Sequence, residues 1–221
     1  MLNKSVIIVA AGKGERMKSL LPKQFLHLAG KAVLMHTIEK FFLYDNDIQI
    51  IIVLPKEYVD YWQKLCSSSG FGIKHSLVEG GKTRFESVKN ALYSVPDANL
   101  VAVHDGVRPL VSDETITRCF AQAEISGAAI PVVDCVDSLR QISKTENIAV
   151  DREKYKLVQT PQVFSAKILK DAYNQNFTEN FTDDAAVVES IDKKISLVAG
   201  NRENIKITTE TDLKIAEILI I

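Results

Sequence analysis

Directly after the apolar run Val6-Ile7-Ile8-Val9, the stretch AAGKGERMKSLLPKQF (residues 10–25) gathers glycine and positive charge. Its cations are Lys13, Arg16, Lys18 and Lys23, and Glu15 is its one negative charge. Glycines at the end of a strand let backbone N–H groups approach an anion, and Arg16 and Lys23 can spread charge over a polyphosphate. Two known phosphate-binding patterns fail at the same residue. A dinucleotide fingerprint needs a third glycine where Met17 stands, and a P-loop needs glycine in that same place ahead of Lys18-Ser19. Taken alone, the stretch also reads as a tight turn with solvated lysines.

Other stretches bear on that choice. EGGKTRFES puts Gly80 and Gly81 after a strand, with Ser87 in the first turn of the helix that follows. VHDGVRP puts Asp105 and Arg108 just past another strand. A carboxylate there can hold magnesium beside phosphates, or it can pair with Arg108 across the turn. His104 reads as a satisfied core or turn histidine. In ENIKITT the alternation turns Lys206 away from Ile205 and Ile207.

The elements that must carry these residues follow from periodicity. β-Branched apolar runs predict strands over 6–10, 48–54, 74–78, 100–104 and 128–133, with helical patterns between them. Pro55 opens one helix and Gly70 closes it. Thr83-x-x-Glu86 is a capping box for a helix that turns Phe85, Val88 and Leu92 inward. Ser112, followed by Asp113 and Glu114, starts another. Alternating strands and helices predict an α/β fold: a mainly parallel twisted sheet with helices on both faces. Ligands bind at the carboxyl ends of such strands. Residues 134–158 break the pattern, being polar and weakly β-like, and read as an extended arm. Beyond them the pattern predicts a strand over 157–164, a helix from Ser165 and a short helix from Thr182. Strands over 195–198 and 205–207 follow, then a last helix capped by Thr209-x-x-Asp212 that runs to Ile221.

Composition narrows the class. The 221 residues suit one domain, and a net charge of −1 argues against a general nucleic-acid binder. No apolar run approaches the ~20 residues of a membrane span. The short stretch after Lys4 runs into the glycine loop, so it reads as a buried strand rather than a signal peptide. Cys66, Cys119 and Cys135 are widely spaced and read as intracellular thiols, which predicts a cytoplasmic protein.

Taken together, AAGKGERM, PKQF, GGKTRFESV, VHDGVRP, VDREKYKLVQTPQVF, TDDA and ENIKIT resemble the 2-C-methyl-D-erythritol 4-phosphate cytidylyltransferases of non-mevalonate isoprenoid synthesis. They occur in family order over almost the whole chain. The resemblance implies a Rossmann-like nucleotidyltransferase fold and direct attack of the substrate's phosphate on the α-phosphorus of CTP, with pyrophosphate leaving. It implies that Arg16 and Lys23 stabilise the transition state and that the backbone of Ala10, Ala11, Gly12 and Gly14 holds the triphosphate. It assigns Gly80, Gly81 and Ser87 to the cytosine, and Mg2+ to the phosphates with Asp105 nearby. Arg108, Arg152 and Lys206 then hold the methylerythritol phosphate. It further implies a homodimer that exchanges the 134–158 arm, so that Ser138 and Arg152 complete the partner's acceptor site.

The chain departs from the family pattern in places. Ser138 in DSLR stands where threonine is usual, keeping the hydroxyl. Asp184 in TDDA replaces a common glutamate, and Gly106-Val107 replace frequent alanines. Ribitol 5-phosphate cytidylyltransferases share most of the motifs, but their first loop more often reads Ala-Gly-Gly, against Ala11 here. A CTP sensor without turnover has no need of a second phosphate site, which Arg152 and Lys206 imply.

Overall fold

The computed structural model describes residues 3–12, 21–95 and 98–220. Its first half runs β1 (Lys4–Val9), the short pair β2 (His27–Leu28) and β3 (Lys31–Ala32), α1 (Val33–Tyr44), β4 (Gln49–Leu54), α2 (Val59–Ser69), β5 (Ser76–Glu79), α3 (Arg84–Leu92) and β6 (Leu100–Asp105). Next come α4 (Asp113–Ser126), β7 (Ala128–Asp134), the hairpin strands β8 (Leu139–Ile142) and β9 (Asn147–Val150), and β10 (Lys156–Val158). The chain continues with β11 (Gln162–Ser165), α5 (Ala166–Tyr173), α6 (Asp184–Glu189), β12 (Ser196–Ala199) and α7 (Glu210–Leu219).

Among the described residues, eight strands form one mixed sheet with a parallel core in the order β5, β4, β1, β6. β11 lies antiparallel between β6 and β7, and β12 runs parallel along the other edge of β7. Alternation along β1 explains why both faces are covered. Val6 and Ile8 pack with Leu34 of α1, Trp62 of α2 and Ile116 of α4, while Ile7 packs with Val88 of α3, Leu169 of α5 and Val187 of α6. Strands buried on both sides in this way read as continuous apolar runs, as β1 and β4 do.

Local signals set several boundaries. Gly70 ends α2 in the left-handed region at φ 65°, where a side chain is costly. The Thr83–Glu86 capping box is formed at α3, and Thr209 with Asp212 forms a second at α7. Ser112 caps α4.

Three expectations are corrected. The strand over 157–164 is two strands: β10 pairs with residues 132–134 and β11 with 128–129, their registers offset by two residues. Pro161, with no N–H to give, lies in the looped-out segment between them. Residues 205–207 do not form a strand. Ile207 is held to the body by one backbone bond to the Val107 carbonyl, at 2.9 Å, and by burial of its side chain. The short helix starts at Asp184 with Asp183, not Thr182, as its cap.

The 134–158 stretch contains the β8–β9 hairpin, whose strands, among the described residues, pair only with each other. Among the described residues no helix is long and apolar enough to cross a membrane.

Candidate active site

The carboxyl ends of β1, β5 and β6 converge on a cleft of about 680 Å3. Its first wall is the chain leaving β1. Ala10 N–H continues the strand pairing to the Val53 carbonyl at 2.9 Å, after which Ala11 and Gly12 line the cleft. Buried Gln24 braces this turn, donating from Nε2 to the carbonyls of Ala10 at 2.7 Å and Gly12 at 3.4 Å. Lys23, beside it, also lines the cleft. The turn that carries both is anchored by Phe25, buried among Tyr58, Tyr61 and Trp62.

The second wall is the segment between β5 and α3. Gly80 donates to the Leu54 carbonyl at 2.8 Å, and Gly81 to Ser87 Oγ at 3.1 Å. A β-carbon at Gly80 would come within 2.6 Å of the Ala11 side chain, and one at Gly81 within 2.3 Å of Glu86 Cβ. The two walls therefore approach as closely as they do because residue 80 is glycine, while Gly81 lets its own segment pack onto the first turn of α3.

The floor is Asp105 at the end of β6. Its Oδ2 accepts from Lys206 Nζ at 3.0 Å and from Arg108 Nε at 3.1 Å. Burial would raise its pKa, but the charges of Lys206, Arg84 and Arg108 prevail and hold the carboxyl well below the usual carboxylate range. Arg108 also donates to the Asn204 carbonyl at 2.7 Å, which ties the 205–207 segment to the floor. The pairing of Asp105 with Arg108, one of the two readings open from sequence, is thus present.

Behind the floor His104 is fully buried. Its Nε2 lies 3.1 Å from the Arg108 carbonyl, which can only accept, so Nε2 carries the proton. Nδ1 then accepts from the Thr160 hydroxyl at 3.0 Å, and Thr160 Oγ1 accepts from Asp105 N–H at 3.1 Å. Burial pushes the His104 pKa down to about 4, so the ring is neutral and structural, as read from sequence.

The cleft brings together Ala10, Ala11, Gly12, Lys23, Gly81, Ser87, Asp105 and Lys206, with Gly80 and Arg108 packed behind its lining. Ser138 and Arg152 lie outside it, on the exposed arm, where Arg152 donates to the Val136 carbonyl. Gly14 and Arg16 fall outside the described residues. Sequence reading missed Arg84 and Gln24: both line the cleft, but their partners are distant in sequence or lie in the backbone.

Among the described residues no three His, Cys, Asp or Glu side chains gather as a metal cage. Asp105 stands as a single ionised oxygen donor. This fits a magnesium ion held largely by phosphate oxygens, the usual arrangement at nucleotide sites.

Positive charge facing closely spaced glycine backbone, at the carboxyl end of a parallel sheet, suits an enzyme that works on phosphates by positioning and charge. Fold and cleft together place the chain among the α/β nucleotidyltransferases. Residues 5–221 match the family model for IspD, 2-C-methyl-D-erythritol 4-phosphate cytidylyltransferase. The chain is 54% identical over 217 residues to the enzyme of that name from Bacteroides fragilis, covering 98% of this chain and 99% of the relative. The Bacteroides thetaiotaomicron relative is 55% identical over 219 residues, covering 99% and 100%. The crystal structure of 4-diphosphocytidyl-2C-methyl-D-erythritol synthase from Anaerococcus prevotii superposes with a TM-score of 0.84 at 28% identity, over 99% of this chain and 96% of that one. The chain belongs to the 2-C-methyl-D-erythritol 4-phosphate cytidylyltransferase family.

Proposed function

We propose that this chain transfers the cytidylyl group of CTP to 2-C-methyl-D-erythritol 4-phosphate, giving 4-diphosphocytidyl-2-C-methyl-D-erythritol and pyrophosphate. The observation that carries the reading is identity above half, along nearly the whole chain, to cytidylyltransferases of that specificity.

The acceptor phosphate is already ionised, so attack on the α-phosphorus needs no protein nucleophile. The chain's task is to align two phosphates and offset charge that builds up in line across phosphorus. In our reading the backbone of Ala10, Ala11, Gly12 and Gly14 holds the triphosphate, while Arg16 and Lys23 oppose the developing charge. Gly80, Gly81 and Ser87 meet the cytosine and discriminate against the larger purines. Lys206 and Arg108, already gathered on Asp105, hold the acceptor. Asp105 would be the protein ligand of Mg2+, an ion that when bound neutralises phosphate charge.

The arm supports a homodimer. Its apolar side chains Ile142, Ile148, Tyr155 and Leu157 are left exposed by the described residues, and an isolated two-stranded hairpin is marginal in water. Ser138 and Arg152 of the partner subunit would then reach the acceptor. The cysteines Cys66, Cys119 and Cys135 are all free thiols, in keeping with work in the cytoplasm.

The test is a substrate panel. Purified protein is given each NTP with methylerythritol phosphate or ribitol 5-phosphate, and pyrophosphate release is followed with mass identification of the product. CTP with methylerythritol phosphate should dominate; preference for ribitol 5-phosphate, or binding of CTP without release, overturns the reading.

A further inference from the structure

The TDDA stretch, residues 182–185, has no part in the chemistry so far, yet its Asp184 is fully buried and held from two sides. Arg84, the first residue of α3, meets it as a fork: Nη1 donates to Oδ1 at 2.8 Å and Nη2 to Oδ2 at 2.6 Å. The Tyr173 hydroxyl of α5 donates to Oδ1 at 2.6 Å. The Tyr173 ring stacks on Phe85 with centroids 4.7 Å apart, and Phe85 stacks on Phe181 at 5.5 Å. Burial opposes the charge on Arg84, but Asp184 outweighs it and keeps the guanidinium protonated. Burial and Asp184 push the Tyr173 phenol well up, so it remains a donor.

The first turn of α3 is thereby pinned to α5 and α6, and the second wall of the cleft hangs on that turn. Gly81 N–H ends on Ser87 Oγ, while Lys82 and Thr83 N–H end on Glu86 Oε2 at 2.6 and 3.2 Å. Arg84 itself lines the cleft. We infer that Arg84 is a positioning residue for the nucleotide: Asp184, steadied by Tyr173, aims its fork and so holds the 80–83 wall at the spacing that reads the pyrimidine. The inference rests on assigning Gly80, Gly81 and Ser87 to the cytosine. No local motif advertises it, because Arg84 and Asp184 stand 100 residues apart.

The test compares Arg84→Met, Arg84→Lys, Asp184→Asn, Tyr173→Phe and Ser87→Ala in the full chain, with saturation curves for CTP, UTP and methylerythritol phosphate and a thermal melt for each. Arg84→Met and Asp184→Asn should raise KM for CTP about tenfold and erode the preference for CTP over UTP about fivefold, with kcat and the acceptor KM moved about twofold or less. Arg84→Lys keeps the charge without the fork and should fall between these and the parent. Tyr173→Phe removes one hydroxyl, keeps the stacked ring, and should raise KM for CTP about threefold. It decides the matter if Asp184→Asn does not fold. Lower melting temperatures with an unchanged KM for CTP overturn the inference, as does a rise confined to the acceptor KM. Ser87→Ala separates two failures. If it raises KM for CTP and the clamp variants do not, the clamp inference alone is wrong; if it too leaves KM for CTP unmoved, the cytosine assignment has failed with it.

Discussion

The cleft and the 134–158 arm use polar residues in opposite ways. In the cleft the polar network centres on buried or nearly buried groups: Asp105 with Lys206 and Arg108, Arg108 with the Asn204 carbonyl, Gln24 with the carbonyls of Ala10 and Gly12. In the arm both members of each pair are exposed: Arg140 with Asn147, Lys156 with Asp134, Arg152 with the Val136 carbonyl. Exposed contacts of that kind contribute little to stability, since solvent and salt screen them. The register of β8 and β9 puts Ile142 and Ile148 on opposite faces of the hairpin, and both are exposed. One region is preorganised within a single chain; the other, in the proposed dimer, would be completed by a second copy.

The largest effect should come from the preorganised region. Lys23→Ala removes one cation from a turn that Pro22 and buried Phe25 hold independently of the side chain. Loss of one preorganised positive group at a developing phosphoryl charge should cost ~3 kcal/mol, roughly a hundredfold in kcat. The melting temperature should stay close to that of the parent. Near-normal kcat in a folded Lys23→Ala would break the claim that the cleft is the reaction site.

The comparison sharpens when one residue from each region is removed. Lys206 belongs to the cleft and Arg152 to the arm, yet both are assigned to the acceptor phosphate. Lys206→Ala and Arg152→Ala should each raise KM for methylerythritol phosphate about tenfold or more, with KM for CTP nearly unchanged. Arg152→Lys should rescue only in part, since the forked geometry is lost. Paired saturation curves decide it. If both variants lose CTP affinity instead, the division of the pocket is wrong.

Charging the two faces of the arm tests its completion by a partner. Ile142→Asp with Ile148→Asp should weaken the dimer about tenfold or more by light scattering and raise the acceptor KM. CTP binding, a property of the cleft, should survive. A fully active monomer at assay concentration would reject arm exchange.

How much of this was legible in the sequence differs between the regions in the same way. The parallel strands were, because burial on both faces leaves unbroken apolar runs such as Ile50–Leu54. So were the caps at Thr83, Ser112 and Gly70, each set by residues within a turn of one another. The side of the chain on which Lys206 projects was also readable, since alternation needs only an extended backbone, and Ile207 is indeed buried. What could not be read is whether such a segment finds a ladder partner, and residues 205–207 do not. Nor could the Arg84–Asp184 fork or the Gln24 brace be seen, because long-range side-chain pairs leave no periodic trace. Gly106, noted as a departure from the family's alanine, has a packing cause: a β-carbon there would lie 2.9 Å from Ala10 Cβ.

The smallest expected effect is a pH dependence that resides behind the cleft floor. Buried His104 has its pKa pushed down to about 4, against an ordinary value of 6.5. Between those values the unfolded chain binds a proton at His104 that the folded chain does not, so stability falls as the pH drops through this window. From pH 6.5 to 5.5 this one group should remove about 1 kcal/mol. Asp105 adds to the loss only in stronger acid, since its carboxyl is held below the usual range and differs from the unfolded chain only where that chain begins to protonate. Urea midpoints across pH 7.5 to 5 provide the measurement. His104→Gln, which can keep one donor and one acceptor, should flatten the slope over that window even if it lowers stability throughout. An unchanged slope in His104→Gln would show that the acid sensitivity arises elsewhere and that burial does not hold the imidazole neutral.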